Sequence, residues 1–187
     1  MRASRRAIPA AARISAAESL AARILALPCM PERGAVSGYW AMDGEIALHV
    51  LQLRLPPGLD YCLPVLADDG RLRFAPWKPG GPLVSNRHGI PEPDVDEQAL
   101  IEPERMAMVL VPLVGFDASG HRLGMGGGWY DRSFAFRNEA AGAHAPPPWL
   151  VGVGFAAQQV EALLPASWDV AMDAVCTERD TLLIDRT

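Results

Sequence analysis

Apolar positions change period along this chain, and each change marks an element. Residues 106–114, Met-Ala-Met-Val-Leu-Val-Pro-Leu-Val, are almost unbroken in apolar character, the pattern of a strand buried on both faces of a parallel sheet. Residues 149–155 repeat that pattern, and 171–176 with 181–184 supply the last strands. Nearer the start, 35–42 reads as a strand rich in aromatic and small residues, while 59–66 and 72–74 read as strands joined by the turn Asp68-Asp69-Gly70. Helical spacing takes over between them. Ile46, Val50 and Leu53 predict a helix over 45–55, and Ser15-Ala16-Ala17-Glu18 has the form of a capping box opening a helix through about Leu25. Pro9 keeps the arginines before it off that helix. Residues 130–138 read as helical and 156–164 as a short helix. Strands alternating with helices imply parallel crossovers, hence a three-layer α/β/α sandwich on a mainly parallel sheet, Rossmann-like, with no internal repeat.

Three stretches carry no period. Residues 28–34 read as a loop. Residues 75–93 hold too much proline and glycine for regular structure and predict a long loop over a cleft. Trp77 and Glu92 stand out in it, and for Trp77 a packing role and a ligand contact both stay open. Residues 139–148, an alanine, glycine and proline insertion, are expected to be the most mobile internal segment.

Composition bounds the reading. A length of 187 residues predicts one domain, 1–187, and a hydrophobic content of 50% with net charge −5 fits a soluble globular protein. An acidic balance argues against general nucleic-acid binding. No apolar run reaches the ~18 residues of a membrane span, and no apolar core with a cleavage site follows the first arginines, so a secretory signal is not expected. Cys29, Cys62 and Cys176 are odd in number and far apart, which reads as reduced thiols of a cytoplasmic protein. His49, His88, His121 and His144 lack zinc-type spacing. A monomer is expected, with small molecules as partners and neither nucleic acid nor membrane.

The candidate chemistry follows the apolar run of 106–114. Gly124, Gly126, Gly127 and Gly128 crowd one short loop, where each would weaken a helix or strand by roughly 0.5–1 kcal/mol relative to alanine. Such a loop lets backbone press against a ligand, and its N–H groups can converge on an anion, joined by the start of a helix near Trp129. Arg122 enters the loop; Trp129, Tyr130 and Asp131 leave it. Together they supply a phosphate counter-charge, a stacking plate and a metal ligand. The spacing is neither a Walker A nor a dinucleotide fingerprint, and a plain surface turn is the competing reading.

Arg122-Leu123-Gly124-Met125-Gly126-Gly127-Gly128-Trp129-Tyr130-Asp131, preceded by Val111-Pro112 and Phe116-Asp117, resembles the signature of the 5-formyltetrahydrofolate cyclo-ligase family. Met42-Asp43-Gly44-Glu45, Leu63-Pro64-Val65, Ile90-Pro91-Glu92-Pro93, the segment around Gln158 and the stretch from Asp173 to Glu178 extend the likeness over nearly the whole chain. The resemblance implies an ATP- and Mg²⁺-dependent enzyme that converts 5-formyltetrahydrofolate to 5,10-methenyltetrahydrofolate, releasing ADP and phosphate. It implies ATP contacts at Arg122, Leu123, Gly124, Met125, Gly126, Gly127, Gly128, Trp129 and Tyr130. Near the start, Arg2 and Arg6 match the family's ATP-binding basic residues by spacing, with Arg5 and Arg13 as alternatives. It implies substrate contacts at Trp40, Glu45, Met125, Gly126, Gly127, Gly128 and Trp129, and metal ligands at Asp131 and Asp169. From the residues alone, Glu45 is a first-turn helix carboxylate and Asp169 an exposed loop carboxylate. The chain departs from the family at Ala47-Leu48, where an acidic residue and threonine are common, and at Trp129, where tyrosine or phenylalanine is. Two alternatives accompany the resemblance: a non-catalytic nucleotide-binding relative of the same fold, and an ATP-dependent enzyme acting on another pterin.

Overall fold

The computed structural model describes residues 2–139 and 146–184, with the backbone alone at Arg2 and Ser4. In chain order the elements are α1 (Arg2–Arg6), α2 (Ala10–Leu25), β1 (Gly34–Ser37), α3 (His49–Arg54), β2 (Leu59–Leu66), β3 (Leu72–Pro76), β4 (Leu83–Ser85) and β5 (Pro91–Pro93). They continue with β6 (Met108–Pro112), β7 (Gly115–Phe116), β8 (Arg122–Leu123), α4 (Trp129–Ser133), β9 (Trp149–Val153), β10 (Ala174–Cys176) and β11 (Thr181–Leu183). Seven strands form one sheet in the order β11-β10-β9-β6-β1-β2-β3. Strands β2, β1, β6, β9 and β10 run parallel, and antiparallel β3 and β11 close the two edges.

The apolar run of 106–114 becomes β6, in the middle of this sheet, and its side chains alternate between two cores. Met108 and Leu110 join Val36, Val151, Val153, Ala174 and Cys176 beneath α2 and α3. Val109 and Val111 join Ala35, Leu150 and Val175 on the other face, under Phe134 and the segments carrying Val170 and Met172. A strand covered on both faces has no room for polar alternation, which is why its sequence reads as continuous apolar character. The mainly parallel α/β sandwich is therefore as expected.

Helix α2 buries Ala16, Ala17, Leu20, Ala21 and Ile24, a stripe along one side. Complete burial of Leu20 and Ile24 is worth about 1.5–3 kcal/mol for each. The helix begins at Ala10 rather than at Ser15, because Ala10-Ala11-Ala12 are strong helix formers and Pro9, at φ −60°, serves as N-cap. Ser15 is thus interior, and the expected capping box does not form. Pro9 does separate α1 from α2.

Other expectations need correction. The strand predicted over 35–42 ends at Ser37, and the helix predicted over 45–55 begins only at His49. The helix expected over 156–164 is a single 3₁₀ turn, Ala156–Gln158, since Pro165 and the exposed Leu164 offer no apolar face to bury. Residues 75–93 are not wholly irregular: β4 and β5 pair as a hairpin, with prolines 91 and 93 on a two-stranded edge that tolerates missing donors. Glu92 fastens this hairpin to the main sheet, its Oε1 accepting from Leu66 N at 3.0 Å and Asn86 Nδ2 at 2.7 Å. Of the insertion 139–148, residues 140–145 lie outside the described residues. Cys29, Cys62 and Cys176 are free thiols. No helix among the described residues is long and apolar enough to cross a membrane.

Candidate active site

Strand order reverses at β1: the chain leaves it towards β2 on one side and returns to β6 on the other. Such a switch point opens a crevice beyond the carboxyl ends of the strands. Here those ends continue as Gly38-Tyr39-Trp40 and Leu113-Val114.

Arg5 reaches into this crevice from α1. Its Nη1 donates to Leu113 O at 3.2 Å, its Nε to Asp43 O at 3.0 Å and its Nη2 to Asp43 Oδ2 at 3.2 Å. Glu45 Oε1 lies 3.7 Å from Nη1, and the Arg5 side chain is 1% exposed. Arg6 pairs with the other Asp43 oxygen from the solvent side. Arg13 Nη2 donates to the carbonyls of Arg5 and Arg6 at 3.0 Å, pinning α1 against α2. Of the arginines near the start, then, Arg5 enters the site and Arg6 rims it, while the side chain of Arg2 lies outside the described residues. Charge alone could not separate neighbours; the direction of α1 does.

Glu45 is not in the first turn of α3, so its expected helix-dipole role is replaced by another. Asp43 (φ 52°) and Gly44 (φ 80°) are left-handed, and they fold the chain back so that Met42 N donates to Glu45 Oε2 at 2.9 Å. Leu48, at the departure from the family pattern, is buried in the core under α2. Burial pushes up the phenols of Tyr39, Tyr61 and Tyr130, and the Glu45 carboxylate raises Tyr39 and Tyr130 further. These phenols are therefore neutral O–H groups; Tyr39 already donates to Ile46 O at 2.8 Å. Arg5 Nη1 sits between Leu113 O and Glu45, and Val114 N donates to Leu123 O at 2.9 Å, so the segment beyond β1 and the start of the glycine loop meet at the end of β6. Tyr39 and Tyr61 gave no sequence signal beyond strand-like surroundings.

Trp40 meets Trp77 edge-on, with ring centroids 5.9 Å apart. The long loop therefore touches a candidate substrate residue through its tryptophan. Two guanidinium groups lie over the Trp129 ring, Arg87 at 5.1 Å and Arg132 at 5.2 Å from its centroid. Ser133 sets α4 in place: its Oγ accepts from Leu72 N and donates to Trp129 O, both at 2.7 Å.

The glycine loop spans β8 to α4. Gly126 (φ 83°) and Gly128 (φ 62°) hold the left-handed backbone that favours glycine. A Cβ at Gly126 would meet nothing within 4 Å, whereas one at Gly128 would lie 2.8 Å from Arg132 Nη1. Gly124, Met125, Gly126 and Gly127 are exposed, so the loop's outer side is open to a ligand. Helix α4 has five residues, and the dipole expected at its start shrinks to that of a single turn.

Arg122 and Asp131 form an ion pair with side-chain exposures of 7% and 23%. Asp131 Oδ1 also accepts from Val170 N at 3.1 Å, and Arg122 Nη1 donates to Val170 O. The phosphate candidate and the metal candidate are thus each other's counter-ion, held by one backbone segment. Asp169 precedes that contact; its Oδ2 accepts from Ala166 N at 2.9 Å. Among the described residues no group of three or more His, Cys, Asp and Glu gathers to hold a metal. A magnesium ion carried by phosphates, however, needs one or two protein carboxylates, its other positions being filled by phosphate oxygen and water. Asp131 and Asp169 fit that demand.

Two buried polar residues frame the site from behind. Gln158 Nε2 donates to Leu113 O at 2.6 Å and Val114 O at 3.0 Å, holding the β6 end. Asp117 accepts from Ser119 N, His121 N, His121 Nδ1 and Leu163 N at 2.9–3.1 Å, closing the turn that leads into Arg122. Burial by itself would raise this carboxyl, but the bonds from Leu163 and His121 hold it below the usual range. A depressed folded value means that its stabilisation is present above the unfolded value of about 3.9 and is lost as pH falls through the folded value. Urea midpoints of the wild type should therefore fall below about pH 4, and Asp117→Asn should flatten that part of the curve. An unchanged acid slope in Asp117→Asn would remove Asp117 from the account.

A cavity of about 300 Å³ adjoins this site, lined by Gly128, Asp131, Arg132, Asn138, Ser167 and Trp168 among others. A larger hollow of about 470 Å³ at Asp96, Glu97 and Gln98 involves one exposed segment and none of the strand ends.

Comparison with known proteins gives the same direction. The family model described as 5-formyltetrahydrofolate cyclo-ligase family matches residues 1–178. The 5-formyltetrahydrofolate cyclo-ligase of Escherichia coli (strain K12) is 34% identical over 163 residues, covering 86% of each chain. That of Haemophilus influenzae is 36% identical over 137 residues, covering 72% of this chain and 70% of its own. The solution structure of Aquifex aeolicus 5,10-methenyltetrahydrofolate synthetase superposes with a TM-score of 0.79 at 26% identity, covering 100% of this chain and 90% of its own. With a single family spanning the sheet, the crevice and the glycine loop, this chain belongs to the 5-formyltetrahydrofolate cyclo-ligase family.

Proposed function

We propose that this chain converts 5-formyltetrahydrofolate to 5,10-methenyltetrahydrofolate with MgATP, releasing ADP and phosphate. The observation that carries the reading is the meeting, at the end of β6, of an open glycine loop bearing the Arg122–Asp131 pair with the segment beyond β1 that holds Glu45. The formyl oxygen is a poor leaving group as hydroxide, and transfer of the γ-phosphoryl group to it makes it a good one. N10 then attacks the formyl carbon, the C–O bond to phosphate breaks, and the N10 proton leaves with the phosphate. Such chemistry asks the protein for positioning and charge neutralisation rather than a covalent nucleophile.

The residues divide accordingly. Backbone of Gly124 to Gly128, with Arg122, holds the phosphates; Arg6 offers a cation from the rim of the other wall, and buried Arg5 holds Asp43 and Glu45 in place. Asp131 and Asp169 would hold Mg²⁺, which neutralises phosphate charge when bound. Trp129 and Trp40 flank the folate, and Glu45 binds it. The neutral phenols of Tyr39, Tyr61 and Tyr130 add no charge to the space where the phosphoryl group moves.

Mixing the protein with MgATP and 5-formyltetrahydrofolate should produce the near-ultraviolet absorbance of methenyltetrahydrofolate, and omission of either should abolish it. No absorbance change under these conditions would overturn the assignment. Gly126→Val tests the loop directly. Its Cβ would meet no protein atom within 4 Å, but the branched side chain would oppose the left-handed backbone and occupy the ligand's space. The variant should fold cooperatively, yet its Tm should not rise with MgATP as that of the wild type does. A wild-type Tm rise in the variant would move the phosphates elsewhere.

A further inference from the structure

Trp168 is 70% exposed although it stands beside the glycine loop. An indole left this open is unused by the core, and the backbone turn that carries it is fixed. Asp169 N donates to Ala166 O at 3.1 Å while Ala166 N donates to Asp169 Oδ2 at 2.9 Å, closing residues 166–169 into a turn. Asn138 Nδ2 donates to Asp169 O at 3.2 Å from across the cavity. One residue further on, Val170 is bound through both its N–H and its carbonyl to the Asp131–Arg122 pair. The turn that presents Trp168 is therefore fastened to the groups assigned to phosphate and metal, and the indole borders the cavity of about 300 Å³ that opens from them. That volume is at the lower end for small-molecule pockets and suits one flat heterocycle rather than a whole nucleotide.

We infer that Trp168 is the stacking platform for the purine base of the nucleoside triphosphate, fixing the end of the nucleotide remote from the reacting phosphate. The inference rests on the nucleotide site proposed above. Arg132 lines the same cavity. Asn138, whose amide nitrogen is already committed to Asp169, has its carbonyl oxygen as acceptor for an exocyclic amine. A flat aromatic face recognises a base with little demand on its edge pattern.

The test compares MgATP with magnesium tripolyphosphate, which carries the charges without a base, by calorimetry on wild type, Trp168→Ala and Trp168→Phe. Trp168→Ala should weaken MgATP at least about 5-fold, the low end of base-stacking losses, and leave tripolyphosphate within about two-fold. Trp168→Phe should recover most of the MgATP affinity. Equal MgATP affinity in Trp168→Ala and wild type overturns the assignment and leaves the nucleotide site standing. Parallel loss of both ligands in Trp168→Ala also overturns it, by showing that the residue shapes the phosphate site. Failure of the wild type to bind either ligand removes the nucleotide site itself, and this inference with it.

Discussion

Asp131→Asn should lower turnover by at least ~100-fold, about 2.7 kcal/mol of barrier, while leaving a folded protein. The substitution keeps an oxygen for Val170 N, whose 3.1 Å bond holds the 166–170 segment, and removes the charge. Two consequences of that lost charge can be separated. As a metal ligand, Asp131 would be missed most with MgATP, so affinity for a non-hydrolysable ATP analogue should become nearly insensitive to Mg²⁺. As counter-ion to Arg122, 7% exposed, it would be missed in the free protein, where the guanidinium keeps its bond to Val170 O but loses its anionic partner. The first predicts lost magnesium dependence, the second a modestly lower Tm. Near-normal turnover at saturating MgATP would refute the metal role, whatever happens to the Tm.

The parts of this molecule that could be read from sequence are those where a local pattern has one solution. A nearly unbroken apolar run, as at 106–114, has to be covered on both faces, and β6 is. The crowding of glycines at 124–128 is legible for a similar reason: the left-handed backbone at Gly126 and Gly128 is one that few other residues adopt. What stayed hidden depends on approach between distant segments. Arg5, Arg6 and Arg13 are alike as charges, and only the packing of α1 over the β1 end sends Arg5 inward to Leu113. The pairing of Arg122 with Asp131 was equally invisible, since each matched a ligand role that made it look available. Element ends misled for a different reason. The capping box at Ser15 and the helical spacing from Glu45 are both genuine local preferences. They were overridden by stronger neighbours: the alanines after Pro9, and the left-handed pair Asp43-Gly44 that holds Glu45 in a turn.

Asp173→Ala should destabilise the fold by about 3–5 kcal/mol, the usual consequence of removing one partner from a buried ion pair. Asp173 and Arg137 meet at 2.7 Å with side chains 4% and 0% exposed. The carboxylate also accepts from Leu150 N at 2.7 Å, so its loss strands a buried backbone donor as well as a buried guanidinium. Among the described residues Arg137 Nε has no hydrogen-bond partner, and the rest of the guanidinium is held by Asp173 and Pro148 O. The pair joins the 3₁₀ turn after α4 to β9 and to the segment before β10. That places it behind the glycine loop, Asp131 and the cavity at Asn138. Loosening it should therefore lower MgATP affinity in proportion to the population that remains native, not by a local effect on the ligand. Urea unfolding followed by tryptophan fluorescence would give the stability, and MgATP titration well below the midpoint the affinity of the folded fraction. A destabilisation below about 1 kcal/mol would mean that Asp173 acts as an exposed surface partner would, and that the sheet and the α4 layer are held together by their apolar core alone.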